Sequence, residues 1–333
     1  MRYFVTGATG FVGGQVARLL RQDGHDVIAL VRDPRHAGDL VAQGVTLAPG
    51  DVAEKSSMRA PMTGVDGVFH VAGWYKIGVR DTRPAQVTNV EGTRNVLELM
   101  RELAIPRGVY TSTLAVYSDT HGKLPDETYV FHGRHLSVYD ASKWAAHYEV
   151  AEPMMRDGLP LTIVQPGLIY GPGDTSAIGH TLRQYLKRKL PVVPARTAFC
   201  WGHVEDMAQA HLAAMRVGKP GASYNVGGPV HTLTDALRLA QSITGVRPPA
   251  ITASPGMMRA LASTMSLVQR VFPVPEDFSG EYLRVSAGVT YLGDSSKATR
   301  ELGFAPRPLA EGLRETLLYE MGQLGMRAPS EAQ

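Results

Sequence analysis

Residues 1–14 read MRYFVTGATGFVGG, and their reading decides the fold. Arg2 to Thr6 are largely aromatic and β-branched, the composition of a short strand. Gln15 to Arg21 follow with a helical pattern, and between the two lie Gly7, Gly10 and Gly13 at three-residue spacing. A strand that runs through glycines into a helix is a phosphate cradle. Gly7 permits a sharp turn, Gly10 lets backbone approach a pyrophosphate, and Gly13 lets helix and strand pack closely. The spacing is GxxGxxG rather than the commoner GxGxxG. With 35 glycines among 333 residues, a triplet alone is a weak signal, and a tight βα turn without a ligand is the alternative. Its place straight after a strand gives it weight.

Downstream, apolar strand-like runs recur at Asp26 to Val31, Val45 to Leu47, Gly67 to Val71, Arg107 to Thr111 and Leu161 to Gln165. Helical patterns lie between them, notably Ala85 to Leu103 and Ser142 to Arg156. Continuous apolar strands alternating with helices predict an α/β fold, a doubly wound parallel sheet of Rossmann type. After Pro166 the alternation breaks down and Pro, Gly and Met rise, with a helix-like stretch from Gly256 to Phe272. The expected organisation is a dinucleotide-binding domain over 1–165, with 199–227 returning to it. A smaller C-terminal α/β lobe over 166–333 would bind substrate, and the tail from Arg327 should fray.

Composition narrows the class. Net charge is +3, from 34 basic and 31 acidic residues, too balanced for a nucleic-acid surface. Lys187, Arg188 and Lys189 form the densest basic cluster and read as a solvated helix end. Cys200 stands alone, so it makes no internal bridge and reads as a small buried hydrophobe. The first strand starts at residue 2, leaving no room for a secretory peptide, and no apolar run reaches about 18 residues. A cytoplasmic protein with no membrane and no nucleic-acid partner is expected. No Cys/His spacing suggests a metal.

In such sheets ligands sit beyond the carboxyl ends of the strands, so the residues just after each strand matter. At the second strand end, where an acidic residue would hold the ribose hydroxyls of NAD, the chain has Val31 and Arg32, with Arg35 and His36 behind. A guanidinium binds a 2′-phosphate through paired hydrogen bonds, so NADP(H) is preferred and NAD(H) is the alternative. Asp33 could instead simply pair with Arg35. Asp51 is placed to accept from the adenine amino group or to cap a turn. Val71, Ala72 and Gly73 are small enough for the cofactor to pass close. Tyr139 and Lys143 stand at i and i+4 on one helix face. A nearby ammonium, with the positive charge of the nicotinamide, favours phenolate, which would lower the tyrosine pKa from about 10 toward useful range. The run YTSTLAVY (110–117) supplies a hydroxyl, Thr113 or Ser112, for a substrate oxygen.

With these residues in place, the chain resembles the extended short-chain dehydrogenase/reductase family nearly end to end. The motifs are TGATGFVG, NVEGT (89–93), YTSTLAVY, YDASK (139–143), PGLIYGPGD (166–174), HVEDMA (203–208), YNVGG (224–228) and ELGF (301–304). The resemblance implies Tyr139 as acid–base, Lys143 as its partner, and Thr113 as the substrate hydroxyl with Ser112 beside it. Cofactor contacts implied are Gly7, Thr9, Gly10, Phe11, Val12, Arg32, Asp51, Val52, Val71, Ala72, Gly73, Asn89, Thr111, Ser112, Tyr139, Lys143 and Pro166, Gly167, Leu168, Ile169. Asn89 would order the nicotinamide-side backbone. Arg32 and the HVAG pattern (70–73) resemble the dihydroflavonol reductase and ketone reductase branch.

The expectation is an oxidoreductase that interconverts a ketone or aldehyde with an alcohol by hydride transfer. A sugar-nucleotide epimerase/dehydratase is the alternative, and a non-catalytic NADPH sensor a third. Epimerases of the family usually carry an Arg-Asp pair before the aromatic–x–His-Val motif; here Thr197 to His203 occupy that stretch, with Arg196 displaced. Trp74, Tyr75, Phe199, Trp201 and the methionines of 257–265 could line an apolar substrate pocket or pack the lobe, with His180 and Arg183 as polar candidates. By analogy with relatives, the helices at 85–103 and 142–156 could form a homodimer, or face only the sheet.

Overall fold

The computed structural model describes residues 1–269, 271–275 and 278–327. Its strands are β1 (Arg2–Thr6), β2 (Asp26–Val31), β3 (Thr46–Pro49), β4 (Gly67–His70), β5 (Gly108–Thr111), β6 (Leu161–Pro166), β7 (Leu168–Tyr170), β8 (Val193–Pro194), β9 (Ala198–His203), β10 (Ser223–Val226), β11 (Val230–Thr232), β12 (Thr252–Ala253) and β13 (Thr290–Tyr291). Seven of them form one sheet in the order β10-β6-β5-β4-β1-β2-β3, and every pairing in it is parallel. This is the doubly wound Rossmann-type sheet read from the sequence.

The near-continuous apolar runs are explained by cover on both faces. Successive residues of a strand point to opposite sides. Val5, Val109 and Val164 therefore pack with Val16 and Leu20 of the helix Phe11–Gln22 and with Met207 and Met215 of the helix Val204–Val217. Phe4, Tyr110 and Ile163 face the other way, onto Val96, Leu97 and Met100 of the helix Gly92–Glu102 and onto Val150.

Beyond Pro166 the chain leaves the sheet and β7 pairs with β9, which also pairs with β11 and β13. The chain then returns, because β10 lies against β6 at the edge of the large sheet. The C-terminal lobe has its own core around Tyr170, Trp201, Leu237, Leu313 and Leu317. Trp201 is fully buried there and its indole donates to the His231 carbonyl at 3.0 Å, so it packs the lobe.

Several sequence boundaries shift. The helix expected from Ser142 begins at Val138, because Ser137 caps it by accepting from the Asp140 amide at 3.0 Å. The stretch read as helical over 256–272 is a helix over Pro255–Val268; Arg270 within it, and the tail beyond Arg327, lie outside the described residues. Lys187, Arg188 and Lys189 follow the end of the helix Ala177–Leu186 and are exposed. Cys200 is buried, and burial pushes its thiol up.

Candidate active site

The strand order reverses between β1 and β4, which opens a crevice at their carboxyl ends. Gly7 and the Val71–Gly73 segment meet there. Gly7 has φ of 74°, and a Cβ on it would lie 2.6 Å from the Ala72 amide nitrogen. A Cβ on Gly13 would lie 2.2 Å from the Gly7 carbonyl oxygen, so helix and strand touch through backbone alone. Gly10 is the N-cap of the helix Phe11–Gln22 and supplies no side chain to its amides. Those first-turn N–H groups lack helical partners, and Thr9 and Gly10 just before them are exposed. This bare, glycine-lined helix start fits the diphosphate of a dinucleotide.

At the end of β2, Arg35 donates to Asp33 at 2.9 and 2.8 Å, and His36 lies 3.1 Å from the same carboxylate. Arg32 is exposed and makes no hydrogen bond or ion pair among the described residues. Asp51 uses one oxygen to accept from the Ala53 amide at 3.0 Å, a turn-capping contact. The nearby Val52 is buried.

Asn89 sits in a π-helical stretch, Ala85–Glu91, with its amide fully engaged. It accepts from the Trp74 amide at 2.7 Å and donates to the Trp74 carbonyl and to Ser142 Oγ, at 2.9 and 2.8 Å. The segment after β4 is thereby locked to the helix that carries Tyr139. His70, at the end of β4, is bound to Thr6 and Thr93 at 2.8 and 3.0 Å. Burial, helped by Lys143, pushes its pKa down to about 3, so it is neutral.

Tyr139 and Lys143 share the helix beginning at Val138. Lys143 is 4% exposed; its ammonium donates to the Thr111 carbonyl at 2.7 Å and the Tyr110 hydroxyl at 3.1 Å. Burial pushes Lys143 down to about 7. Tyr139 is pushed up to about 12, again by burial, with the adjacent Thr113 hydroxyl pulling the other way. Burial alone thus keeps the phenol protonated; the lowering expected from the sequence draws on the positive charge of a bound nicotinamide as well as on Lys143. Thr113 caps the turn Leu114–Tyr117, accepting from the Ala115 amide at 3.2 Å. Ser112 is buried and turned away, 2.7 Å from His147 Nδ1. Pro166 to Ile169 run from β6 into β7, and a Cβ on Gly167 would lie 2.3 Å from the Cys200 carbonyl oxygen.

Arg183 donates to the Asp174 carbonyl at 2.7 Å and to Glu320 at 3.1 Å, a structural role. Tyr75 is 59% exposed and Met258 is in a small core with Ala262 and Leu283. A separate cleft of about 650 Å³, lined by Glu127, Glu152, Ser223 and Lys297 among others, lies against β10 and holds none of the predicted site residues.

Two groups escaped sequence reading. Asp140 is buried beside Tyr139 and accepts from the Tyr291 hydroxyl at 3.1 Å; burial pushes it up to about 7 while Ser137 and Tyr291 oppose. Glu281 accepts from the amides of Gly78 and Val138 at 2.7 and 2.6 Å. Asp140 lies within YDASK but at a position to which the motif assigns no role, and Glu281 lies in none of the motifs.

This cradle and Tyr-Lys helix are those of an NAD(P)-dependent extended short-chain dehydrogenase/reductase. The chain belongs to the NAD dependent epimerase/dehydratase family, whose model matches residues 3–227. It is 31% identical over 95% of its length to a Synechocystis sp. protein assigned provisionally as a dihydroflavonol 4-reductase, covering 93% of that protein. A 4-hydroxy-2-methyl-3-oxo-4-farnesyl-3,4-dihydroquinoline-1-oxide ketoreductase of Stigmatella aurantiaca is 29% identical, with 92% of each chain covered. The crystal structure of gox2253 superposes with a TM-score of 0.84 and 31% identity, covering 98% of this chain and 99% of the other.

Proposed function

We propose that the protein is an NADP(H)-dependent carbonyl reductase, or the reverse alcohol dehydrogenase, acting on a small-molecule ketone, aldehyde or alcohol. The observation that carries this reading is the shared helix of Tyr139 and Lys143, set against Thr111 and Thr113 at the end of β5. The ketoreductase and reductase relatives support the same direction.

The amides at the start of the helix Phe11–Gln22 hold the diphosphate, and Arg32 takes the 2′-phosphate. When bound, the nicotinamide supplies or accepts the hydride at the carbonyl carbon. Thr113 hydrogen-bonds the substrate oxygen and polarises it. Tyr139 donates its phenolic proton to that oxygen, and a positive charge on Lys143 stabilises the phenolate left behind. Asn89 keeps the Trp74 backbone in place beside the reacting groups. The family likeness further suggests a homodimer through the helices at 85–103 and 142–156, which sedimentation would read.

The test is NADPH oxidation against a panel of ketones and aldehydes, run beside Tyr139→Phe. Turnover by the wild type, nearly abolished in Tyr139→Phe with NADPH binding intact, supports the reading. Interconversion of a UDP- or GDP-sugar with no net loss of NADPH would replace it with the epimerase. NADPH binding without any turnover would leave a sensor.

A further inference from the structure

The first turn of the helix that carries Tyr139 is held from the C-terminal lobe. Val138 is the first residue of that helix, so its N–H has no helical acceptor. The Glu281 carboxylate, 143 residues away, accepts it at 2.6 Å and accepts the Gly78 N–H at 2.7 Å with its other oxygen. A carboxylate at a helix N-terminus is favoured by the aligned peptide dipoles. One side chain thus joins three segments: the loop after β4, the start of the helix, and the lobe.

On the other side of the tyrosine, Asp140 accepts from the Tyr291 hydroxyl at 3.1 Å. Tyr291 is itself fixed, its ring stacked on Phe199 with centroids 6.1 Å apart and planes 2° from parallel. Its neighbour Thr290 receives two more anchors, its amide donating to Asp119 at 3.0 Å and its carbonyl accepting from the Thr120 amide at 2.9 Å. Glu281 opens a short helix, Gly280–Val285, whose Ser279 cap accepts from the Tyr282 amide at 3.1 Å. Both ends of the 281–291 segment are therefore rigidly placed. Residues 138 and 140, the two neighbours of Tyr139, are each tied to it.

We propose that Glu281 and Tyr291 are positioning residues for Tyr139, fixing its backbone from both sides so that the phenol keeps its place opposite Thr113. This rests on the reductase reading. It gives the C-terminal lobe a role in the chemistry besides enclosing substrate: the lobe's seating on residues 138 and 140 sets the geometry of proton transfer. Such geometry matters because a misplacement of about 1 Å costs on the order of 10²-fold in rate.

The experiment compares full-length wild type with Glu281→Ala, Glu281→Gln and Tyr291→Phe. It measures kcat, KM and NADPH affinity, together with amide hydrogen exchange at Gly78 and Val138. Glu281→Ala is expected to lower kcat about tenfold while NADPH affinity stays within about twofold, since the loss falls on the reacting geometry alone. Exchange at both amides should accelerate. Glu281→Gln keeps one carbonyl acceptor and should recover part of the rate. Tyr291→Phe, a mild change that preserves the ring stack, should also lower kcat, and it carries the test should Glu281→Ala fold poorly. Wild-type kcat in both Tyr291→Phe and Glu281→Gln, or unchanged exchange at Val138 in the Glu281 variants, overturns the positioning role. A wild type inactive on every carbonyl overturns the reductase reading and this role with it, whereas an active wild type with unaffected variants overturns the positioning alone.

Discussion

Ser112 Oγ lies 2.7 Å from His147 Nδ1, and both side chains are buried. On the far side of the ring, His147 Nε2 is 3.6 Å from Glu152. The serine hydroxyl is thus engaged with the helix behind it, and the neighbouring Thr113 is the one that reaches Tyr139. The two hydroxyls, which sequence spacing alone leaves as alternatives and the family resemblance resolves toward Thr113, have separate partners.

Their separation is testable. Removing one pre-positioned donor to a developing oxyanion costs about 10²–10³-fold in kcat. Thr113→Val should fall in that range with little change in midpoint of urea unfolding. Ser112→Ala should do the opposite: it leaves a buried imidazole nitrogen without its partner, which costs about 1–3 kcal/mol of stability. Its kcat should stay close to wild type. Equal kcat losses in the two variants would undo the distinction.

On the proposed function, Arg32 would separate the two nicotinamide cofactors. Arg35 is held by Asp33 in a bidentate pair, so it is the less available of the two arginines, while Arg32 is exposed and unpaired among the described residues. A charge-assisted bidentate contact with a phosphate is worth roughly 1.5–3 kcal/mol, about 10- to 150-fold in affinity. Arg32→Ala should raise KM for NADPH by that factor and leave KM for NADH almost unchanged. Arg35→Ala should alter neither by more than about threefold. An unchanged KM for NADPH in Arg32→Ala would remove the 2′-phosphate assignment.

Much of this arrangement was legible because it is local. Gly7 to Gly13, Arg32 after β2 and the i, i+4 pair Tyr139 and Lys143 each sit within one turn or strand end, where spacing fixes direction. The sheet was legible because strands covered on both faces carry unbroken apolar runs. What spacing cannot show is which distant group arrives. Glu281 reaches Gly78 and Val138 across 203 and 143 residues, and Ser112 finds His147 across 35. Protonation was hidden for the same reason: desolvation of Tyr139 and Lys143 depends on everything packed around them. The aromatic residues stay open in the sequence because their composition suits both a pocket and a core, and burial settles Trp201 for the core.

Gly13 tests the cradle apart from any chemistry. An alanine Cβ there would meet the Gly7 carbonyl oxygen at 2.2 Å and its carbon at 2.6 Å, backbone that has no rotamer to change. Overpacking of this kind costs roughly 1–3 kcal/mol, and relief would come from moving the turn itself. Gly13→Ala should therefore lose stability in that range and weaken NADPH binding together. Gly14→Ala places its Cβ 3.2 Å from the Ala8 oxygen, a milder contact, and should be nearer wild type in both. NADPH bound at full strength by a stable Gly13→Ala would contradict the close approach.

Lys143 gives a pH signature. Burial lowers its pKa from 10.5 to about 7, so between those values the folded chain has released a proton that the unfolded chain keeps. Stability then rises with pH across that window, because the unfolded state binds more protons. Below about pH 7 both states carry the charge and the full desolvation cost is present; toward pH 10.5 it disappears. Lys143→Met never has this cost. In the absence of cofactor it should be more stable than wild type at pH 7, and the gap should shrink steadily as pH rises to about 10. Urea midpoints at half-unit intervals would follow it. A gap that stays constant across the window would mean that Lys143 titrates as an ordinary lysine, and that its ammonium is held by Thr111 and Tyr110 strongly enough to offset its burial.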